Sequence, residues 1–290
     1  MTIKSQFKTN IINIYGEIGK TWLLDLPKII SKIANENDLS DLKPLDNLTY
    51  NYVLAGLRGK QPIILKLSPD IKKLNHESFS LRAFANFGAV KILSQQDGVL
   101  ILEQAIPGIS LKSYFPTKES EAIEITCNVI KKLHQAPISK KKIPHIKDWL
   151  AALDREPNIP PNYLKKAQKL KDELLKTSTK QILLHGDLHH DNIVQNGNRW
   201  LIIDPKGVIG EPAYEVSAFI RNPLQELLSS ENIENIINSR ITHFTSILNL
   251  DFIRIKDWCF VQSVLAWMWA LEDNCNTKYF KRLTEIFHDL

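Results

Sequence analysis

The sequence has few cysteines, and they are widely spaced. Cys127, Cys259 and Cys275 are the three in 290 residues, and their spacing matches neither a disulfide framework nor a zinc-binding knuckle. The first residues of the chain also lack the apolar core of a signal peptide, so we do not expect export. Both observations predict a protein of a reducing compartment, the cytoplasm.

Long apolar runs are missing as well. The most apolar stretch, residues 258–271, contains Gln262 and Ser263 and is shorter than the roughly 20 residues that span a bilayer. It predicts a helix buried in a protein core, and we expect no membrane partner. The tryptophans of this stretch are interpreted as core residues rather than as a substrate cage: Trp258, Trp267 and Trp269.

A strong excess of one charge is also absent. The chain carries 37 basic and 32 acidic residues, a net charge of +5. The densest basic run, Ser139 followed by lysines at 140–142, is typical of a solvated loop. No aromatic stripe or nucleic-acid motif accompanies the lysines, so we expect no nucleic-acid partner. The positive net charge would repel a polycation, so a cationic substrate requires an acidic pocket.

The first hundred residues alternate between helical and strand patterns. Apolar residues recur at helical spacing through the first forty residues, and Pro27 marks a break or a new helix start. Residues 48–67 are β-rich around an Arg-Gly-Lys turn and predict a hairpin. A helix follows, and then two strand-like runs at 90–93 and 99–103. This order predicts a small mixed lobe over residues 1–104, with an N-terminal helical extension.

The remainder, residues 105–290, is mainly helical with a short β insert. Residues 181–184, 193–195 and 200–203 have strand character, and the chain from Pro223 onward has helical spacing. The fold class predicted for the whole chain is therefore α+β, with a small lobe containing a mixed β-sheet and a larger helical lobe.

The tripeptide Asn-Gly-Asn at 196–198 is a strong hairpin signal. Folding the chain there sets Asn192, at the start of one strand, close to Asp204, at the end of the other. A carboxylate and an amide oxygen at one end of a sheet suit Mg²⁺ bound to substrate phosphates. Asp187 lies five residues before Asn192, where a carboxylate can orient a hydroxyl nucleophile and accept its proton.

These residues carry a family resemblance. The pattern His185-Gly-Asp, four residues, Asn192, and then Ile-Asp at 203–204 resembles the aminoglycoside phosphotransferase and choline kinase superfamily. The run 204–215, the Arg-Asn-Pro tripeptide at 221–223 and the segment 15–27 resemble the streptomycin 6-phosphotransferase and hydroxyurea-resistance kinase branch.

The resemblance implies a two-lobe, protein-kinase-like fold and a phosphotransferase that uses ATP and Mg²⁺, with GTP left open. Asp187 resembles the catalytic base, and Asn192 and Asp204 resemble the magnesium ligands. His185 and His189 would brace the loop by hydrogen bonds. The resemblance also implies a set of nucleotide-binding residues: Lys66 on the phosphates, Glu77 as its ion-pair partner, Glu103 and Ala105 in the hinge that meets the adenine through its main chain, and Lys206 close to the phosphates.

Phosphate cover departs from the protein-kinase pattern. The segment 46–52 has no glycine, so Thr49 and Asn51 are the candidate phosphate contacts in place of a glycine-rich loop. The glycines at 16 and 19 lie too close together for a Walker loop, and this segment is interpreted as a turn before a helix.

The expected acceptor is a hydroxyl of a small molecule, first a streptomycin-type aminoglycoside in antibiotic resistance, and alternatively hydroxyurea or another hydroxylated metabolite. Acidic candidates for a cationic substrate are Glu211, Glu215, Glu272 and Asp273, although exposed carboxylates are common and Glu215 could only cap a helix. Two other hypotheses are a non-catalytic nucleotide-binding module and a metal hydrolase built on His185, His189 and His190. The sequence leaves the choice between monomer and dimer open.

Overall fold

The computed structural model describes residues 3–46, 48–139, 143–155, 158–273 and 275–290. The lysine run at 140–142, predicted to be a solvated loop, lies outside these residues, as does position 47 of the segment 46–52. The chain divides into two compact units. The first comprises the chain up to Arg82 together with Val90–Ile106, and the second comprises Ala83–Ala89 together with Pro107–Leu290.

The first unit begins with helix α1, Ser5–Asn37. The helix is interrupted at Gly16, whose φ of 56° and ψ of −131° are not helical. A residue without a Cβ adopts this backbone at little cost. The sequence led us to expect a break or a new helix start at Pro27, but Pro27 lies inside the helix, so that expectation is wrong. The turn before a helix expected in the segment that begins at Gly16 agrees with the observed interruption.

Helix α1 packs against an antiparallel sheet. The strands are β1 (Leu39–Pro44), β2 (Tyr52–Arg58), β3 (Gln61–Leu67), β4 (Ile92–Gln96) and β5 (Val99–Glu103). Neighbouring strands are antiparallel in the order β1-β2-β3-β5-β4, and helix α2, Ile71–Ala83, lies between β3 and β4 in the chain. The predicted hairpin is confirmed, whereas the polar strand β1 was not anticipated.

Apolar side chains of α1 form the core of the first unit with the sheet. Phe7 packs edge-on against Tyr52 with ring centroids 5.4 Å apart. Ile11, Leu26 and Ile30 join Leu54 in the same buried cluster. Successive side chains of β2 and β3 point to opposite faces of the sheet, so their apolar residues reach this core from one face.

The second unit contains two small sheets and a set of helices. Its strands are β6 (Pro107–Ser110), β7 (Ile182–Leu184), β8 (Ile193–Asn196), β9 (Arg199–Ile202) and β10 (Val208–Gly210). They pair as β6-β8-β9 and as β10-β7. The short strands β6 and β10 were not predicted, because three or four residues give too little periodicity to detect.

The second unit contains several helices. They are α3 (Glu119–Leu133), α4 (Ile146–Leu150), α5 (Pro161–Thr177), α6 (Pro212–Ile220), α7 (Leu224–Leu228), α8 (Ile233–Leu248), α9 (Phe252–Glu272) and α10 (Lys278–Asp289). Trp258 in α9 is fully buried, so the predicted core helix is confirmed. Among the described residues, no helix is long and apolar enough to cross a membrane.

The α+β organisation predicted from the sequence is confirmed: a smaller unit is built on a sheet, and a larger unit is mainly helical. The sheet of the smaller unit is antiparallel rather than mixed.

Candidate active site

The β8–β9 hairpin forms as the Asn-Gly-Asn tripeptide predicts. Asn196 pairs with Arg199 beside the turn, and Ile193 pairs with Ile202 at the other end. Beyond that end, the backbone N–H of Ile203 donates to the carbonyl of Asn192 at 3.0 Å. The hairpin therefore places Asn192 next to the residue that precedes Asp204.

Asp204 itself has a left-handed backbone, with φ of 56°. This conformation is uncommon for a residue with a side chain, although Asp and Asn adopt it more readily than most. Such a residue is often found at functional sites. Here it turns the chain sharply as β9 ends.

Asn192 is tied into the loop that carries Asp187. Its Nδ2 donates to the backbone carbonyl of Asp187 at 2.9 Å and lies 3.2 Å from Nε2 of His189. Because the loop engages the amide nitrogen, the amide oxygen is the atom available to a cation. Together with a carboxylate from Asp204, that oxygen fits Mg²⁺, which takes its other ligands from phosphates and water.

His185 braces this loop from within the core. Its Nδ1 accepts from the backbone N–H of Asp187 at 3.3 Å, and its Nε2 donates to the carbonyl of Ile203 at 2.9 Å. Burial lowers the pKa of His185 against the opposing charge of Glu215, so the ring is neutral, as one donor and one acceptor require. The bracing hydrogen bonds expected of His185 are present.

Glu215 supports the same loop from the first turn of α6. Its two carboxylate oxygens accept the backbone N–H groups of His185 at 2.7 Å and Gly186 at 2.9 Å. The residue is 1% exposed, and Nε2 of His134 lies 3.8 Å from one of its oxygens. This geometry favours a supporting role for Glu215 over the predicted contact with substrate.

Two cationic side chains and one imidazole ring lie around the carboxylate of Asp187. Its Oδ1 lies 3.6 Å from Nη2 of Arg221, and its Oδ2 lies 3.9 Å from Nζ of Lys206 and 4.0 Å from Nε2 of His189. Burial alone would raise the pKa of Asp187, but the combined effect of His189, Lys206 and Arg221 outweighs it and holds that pKa below its ordinary value. Asp187 is therefore ionised at neutral pH.

The other acidic candidates are engaged elsewhere. Glu211 accepts hydrogen bonds from Arg254 and Trp258, and Glu272 forms an ion pair with Arg155. Asp273 is the residue that ends α9. The carboxylates of Glu211 and Glu272 are thus bound by other side chains of the protein.

The tryptophans of α9 differ in burial. Trp258 and Trp267 are buried as predicted, whereas Trp269 is 39% exposed and packs edge-on against Trp149 at 6.1 Å. Trp269 lies in the last turn of α9, where the helix leaves the core, so the core interpretation holds for two of the three.

In the first unit, Lys66 and Glu77 form a buried ion pair. Nζ of Lys66, on β3, lies 2.8 Å from Oε1 of Glu77, on α2, and the two side chains are 3% and 13% exposed. A buried lysine with a fixed carboxylate partner is held in one orientation, which suits a group that contacts phosphate oxygens.

The hinge candidates end β5. Glu103 exchanges two hydrogen bonds with Lys91: Oε1 of Glu103 accepts from the Lys91 N–H at 2.7 Å, and the Glu103 N–H donates to the Lys91 carbonyl at 2.9 Å. Ala105 is buried two residues later. Since the Glu103 side chain is engaged, any contact of this segment with a base would use the main chain.

The described residues contain no group of three or more His, Cys, Asp or Glu side chains that could hold a metal ion. Within this part of the chain, the histidines therefore form no zinc site. His185 is engaged by the loop, and His190 stacks on Phe219 with centroids 3.8 Å apart. These contacts give the histidines structural roles.

Solved structures place the fold among small-molecule kinases. Choline kinase LicA from Streptococcus pneumoniae matches with a TM-score of 0.68 over 91% of this chain and 99% of that chain, at 15% identity. A thermostable mutant of the aminoglycoside phosphotransferase APH(4)-Ia, in a ternary complex with ADP and hygromycin B, matches with a TM-score of 0.70 over 89% and 96% of the two chains, at 13% identity. The predicted protein-kinase-like fold is confirmed.

The chain belongs to the family of aminoglycoside/hydroxyurea antibiotic resistance kinases, whose model matches residues 44–274. Streptomycin 3''-kinase of Klebsiella pneumoniae is 28% identical over 182 residues, which are 60% of this chain and 65% of that kinase, slightly under two thirds of its length. Hydroxyurea phosphotransferase of Kitasatospora aureofaciens is 23% identical over 275 residues, 89% of this chain and 77% of that protein. The family resemblance drawn from the sequence motifs is confirmed.

Sequence reasoning missed one residue of the site. Arg221 belongs to a tripeptide that carried the resemblance, but no role was assigned to it, and its position beside Asp187 depends on the packing of α6. The polar interruption of the apolar stretch by Gln262 was the available signal, because Gln262 is the residue that holds Arg221.

Proposed function

We propose that this chain transfers the γ-phosphoryl group of ATP to a hydroxyl group of a small molecule, with Mg²⁺ as the metal. One observation carries the proposal. Asp187, Asn192 and Asp204 are linked through a hairpin and a braced loop within one compact unit. A base and two metal-holding groups are the parts that phosphoryl transfer requires.

The proposed step is a direct, in-line transfer. The Asp187 carboxylate orients the acceptor hydroxyl, the hydroxyl oxygen bonds to the γ-phosphorus, and the bond to the β–γ bridging oxygen breaks. ADP leaves with that electron pair, and the hydroxyl proton passes to Asp187. Because the pKa of Asp187 lies below its ordinary value, the carboxylate is a weak base, and its main contribution is to position the nucleophile.

Asn192 and Asp204 would hold Mg²⁺, which supplies charge neutralisation on the phosphates when bound. Lys66, held by Glu77, would contact the phosphates, and Lys206 would add a second positive charge. The hinge at Glu103 and Ala105 would meet the base through its main chain, a contact that leaves the choice between ATP and GTP open.

For the acceptor, a streptomycin-type aminoglycoside comes first, because family membership and the 28% identical streptomycin kinase support it. Hydroxyurea is the second candidate, and one observation favours it. The predicted acidic contacts Glu211, Glu215 and Glu272 are each engaged by other groups, and a neutral acceptor needs no acidic pocket. A resistance role in the cytoplasm, where ATP is available, follows for either acceptor.

The test is ADP release that depends on both Mg²⁺ and an acceptor, measured with streptomycin, hydroxyurea and choline in parallel. Release with one acceptor, and mass spectrometry that finds this acceptor heavier by one phosphoryl group, supports the proposal. An Asp187→Asn protein serves as the matched control, and undiminished turnover by it would refute the assigned base. A protein that binds nucleotide without ADP release would instead be a non-catalytic module.

A further inference from the structure

The side chain of Arg221 is held beside Asp187, and family membership assigns it no role. Arg221 ends α6, and its side chain is 16% exposed. Its Nη1 donates to Oε1 of Gln262 at 2.6 Å, while its Nη2 lies 3.6 Å from Oδ1 of Asp187. The second distance is an ion-pair distance rather than a hydrogen bond, so the guanidinium faces the carboxylate without closing on it.

Gln262 explains how the guanidinium is held. This residue is 6% exposed within the apolar helix α9, where a buried amide is costly unless both of its ends are paired. Its oxygen accepts from Arg221, and its Nε2 donates to the carbonyl of Tyr214 at 2.8 Å. Gln262 therefore links the guanidinium of Arg221 to the core and fixes the guanidinium beside Asp187.

The charge balance at Asp187 gives this arrangement a function. An ionised base repels the phosphoryl group that must approach it, and the repulsion is strong in a partly buried site. Lys206 approaches one oxygen of the carboxylate at 3.9 Å, and Arg221 approaches the other at 3.6 Å. Arg221 thus adds a second positive charge, next to the other oxygen of Asp187, and its planar fork suits phosphoryl oxygens.

We propose that Arg221 is a further catalytic residue, which contacts the transferred phosphoryl group beside Asp187 and is kept in place by Gln262. The inference rests on the proposed phosphotransferase function. In the step itself, the γ-phosphorus leaves the bridging oxygen of ADP and bonds to the acceptor oxygen, whose proton goes to Asp187. The guanidinium neutralises charge on the non-bridging oxygens as they move between these two partners.

The decisive variant is Arg221→Gln, which removes the charge. We expect kcat to fall about 10²-fold, the usual loss for one group that stabilises transition-state charge, with little change in KM for the acceptor. Arg221→Lys keeps the charge without the fork and should be intermediate. Arg282→Gln is the matched control, since it removes the same charge from an exposed site on α10, and its kcat should equal that of the unaltered protein.

A binding measurement separates this inference from the proposed function. Aluminium fluoride with MgADP mimics the phosphoryl group in transfer, and its affinity can be measured by calorimetry without any acceptor. We expect the unaltered protein to bind MgADP more tightly when aluminium fluoride is present. Arg221→Gln should lose this gain in affinity, and Arg282→Gln should keep it. If Arg221→Gln retains both that gain and full kcat, the role of Arg221 is overturned while the kinase stands.

If the unaltered protein neither binds MgADP nor releases ADP, the proposed function and the inference both fail. If circular dichroism shows that Arg221→Gln does not fold, Gln262→Met tests the role of Arg221 instead. This variant releases the guanidinium and keeps its charge. We expect about a tenfold loss of kcat from that release, within the range for misplaced groups. An unchanged kcat in Gln262→Met would then count against the proposal.

Discussion

The carboxylate of Glu215 accepts the backbone N–H of Gly186, at 2.9 Å, immediately before the proposed base. Its other oxygen accepts the N–H of His185 at 2.7 Å. One buried and one half-buried backbone donor are thus satisfied by one buried side chain. Helix α6 and the loop around Asp187 are joined through this carboxylate, so the orientation of Asp187 depends on a residue with no part in the chemistry.

Replacing Glu215 with Gln tests that link. An amide has one acceptor oxygen, and its NH₂ group would face a backbone donor, so we expect a loss of about 2–3 kcal/mol in the free energy of unfolding. Urea denaturation measures this loss, and kcat should fall with it. Glu234→Gln, at an exposed position on α8, should change stability by less than about 0.5 kcal/mol. Equal stability of the two variants would contradict the supporting role.

The buried pair of Lys66 and Glu77 leads to a prediction about stability as well as activity. Lys66→Met leaves Glu77 without its lysine in a largely buried position, which we expect to cost about 3 kcal/mol or more. The double variant Lys66→Met with Glu77→Gln should recover part of that loss, because no charge is then left behind. Urea denaturation of both proteins gives the comparison, and a double variant less stable than Lys66→Met would contradict it.

The variants Lys66→Met and Lys66→Met with Glu77→Gln should also bind MgATP more weakly than the unaltered protein. Each lacks the lysine that is proposed to contact the phosphates. Calorimetry with MgATP measures the affinity directly. Lys72→Met, which removes an exposed lysine from α2, is the matched control and should bind as the unaltered protein does.

Asn192 should set the requirement for magnesium. Asn192→Ala removes the amide oxygen assigned to the metal and the hydrogen bond to the Asp187 carbonyl. We expect half-maximal activity to need a higher Mg²⁺ concentration and kcat to fall about 10²-fold. A magnesium titration of ADP release checks this, with Asn235→Ala on the exposed face of α8 as control. An unchanged magnesium midpoint would remove Asn192 from the metal site.

Acidification should destabilise the fold through its buried histidines. Burial lowers the pKa of His185 and of His190 below the ordinary value of 6.5. As the pH falls through 6.5, the unfolded chain binds protons that the folded chain does not, so the free energy of unfolding decreases. Each such group contributes a slope of up to about 1.4 kcal/mol per pH unit between its unfolded and folded pKa values.

Urea denaturation between pH 7.5 and pH 5 (conditions chosen to bracket that ordinary pKa, about 6.5) measures the slope. His185→Gln removes one titrating group, and its stability should depend less on pH over this interval. His243→Gln, at a half-buried position on α8, is the control for the loss of a histidine. A slope equal in all three proteins would show that His185 binds its proton alike in the folded and unfolded chains.

Local patterns in the sequence were sufficient where a short segment determines its own geometry. The Asn-Gly turn at 196–198 determines the β8–β9 hairpin, and the hairpin brings Asn192 beside Ile203 whatever else the chain does. Helical spacing likewise identified α9 as a core helix. The break expected at Pro27 is absent, because Pro27 is tolerated within α1. The glycine at position 16, rather than the apolar spacing, indicated the true interruption.

The sequence by itself determined the family, the hairpin, the loop carrying Asp187 and the division into a sheet-containing and a helical part, because these depend on motifs and periodicities a few residues long. Only the tertiary structure decided that Glu215 supports the backbone, that Glu211 and Glu272 are engaged by arginines, and that Arg221 faces Asp187. Those contacts join residues 29 or more positions apart, and packing between helices, which no local pattern encodes, determines which charges become partners.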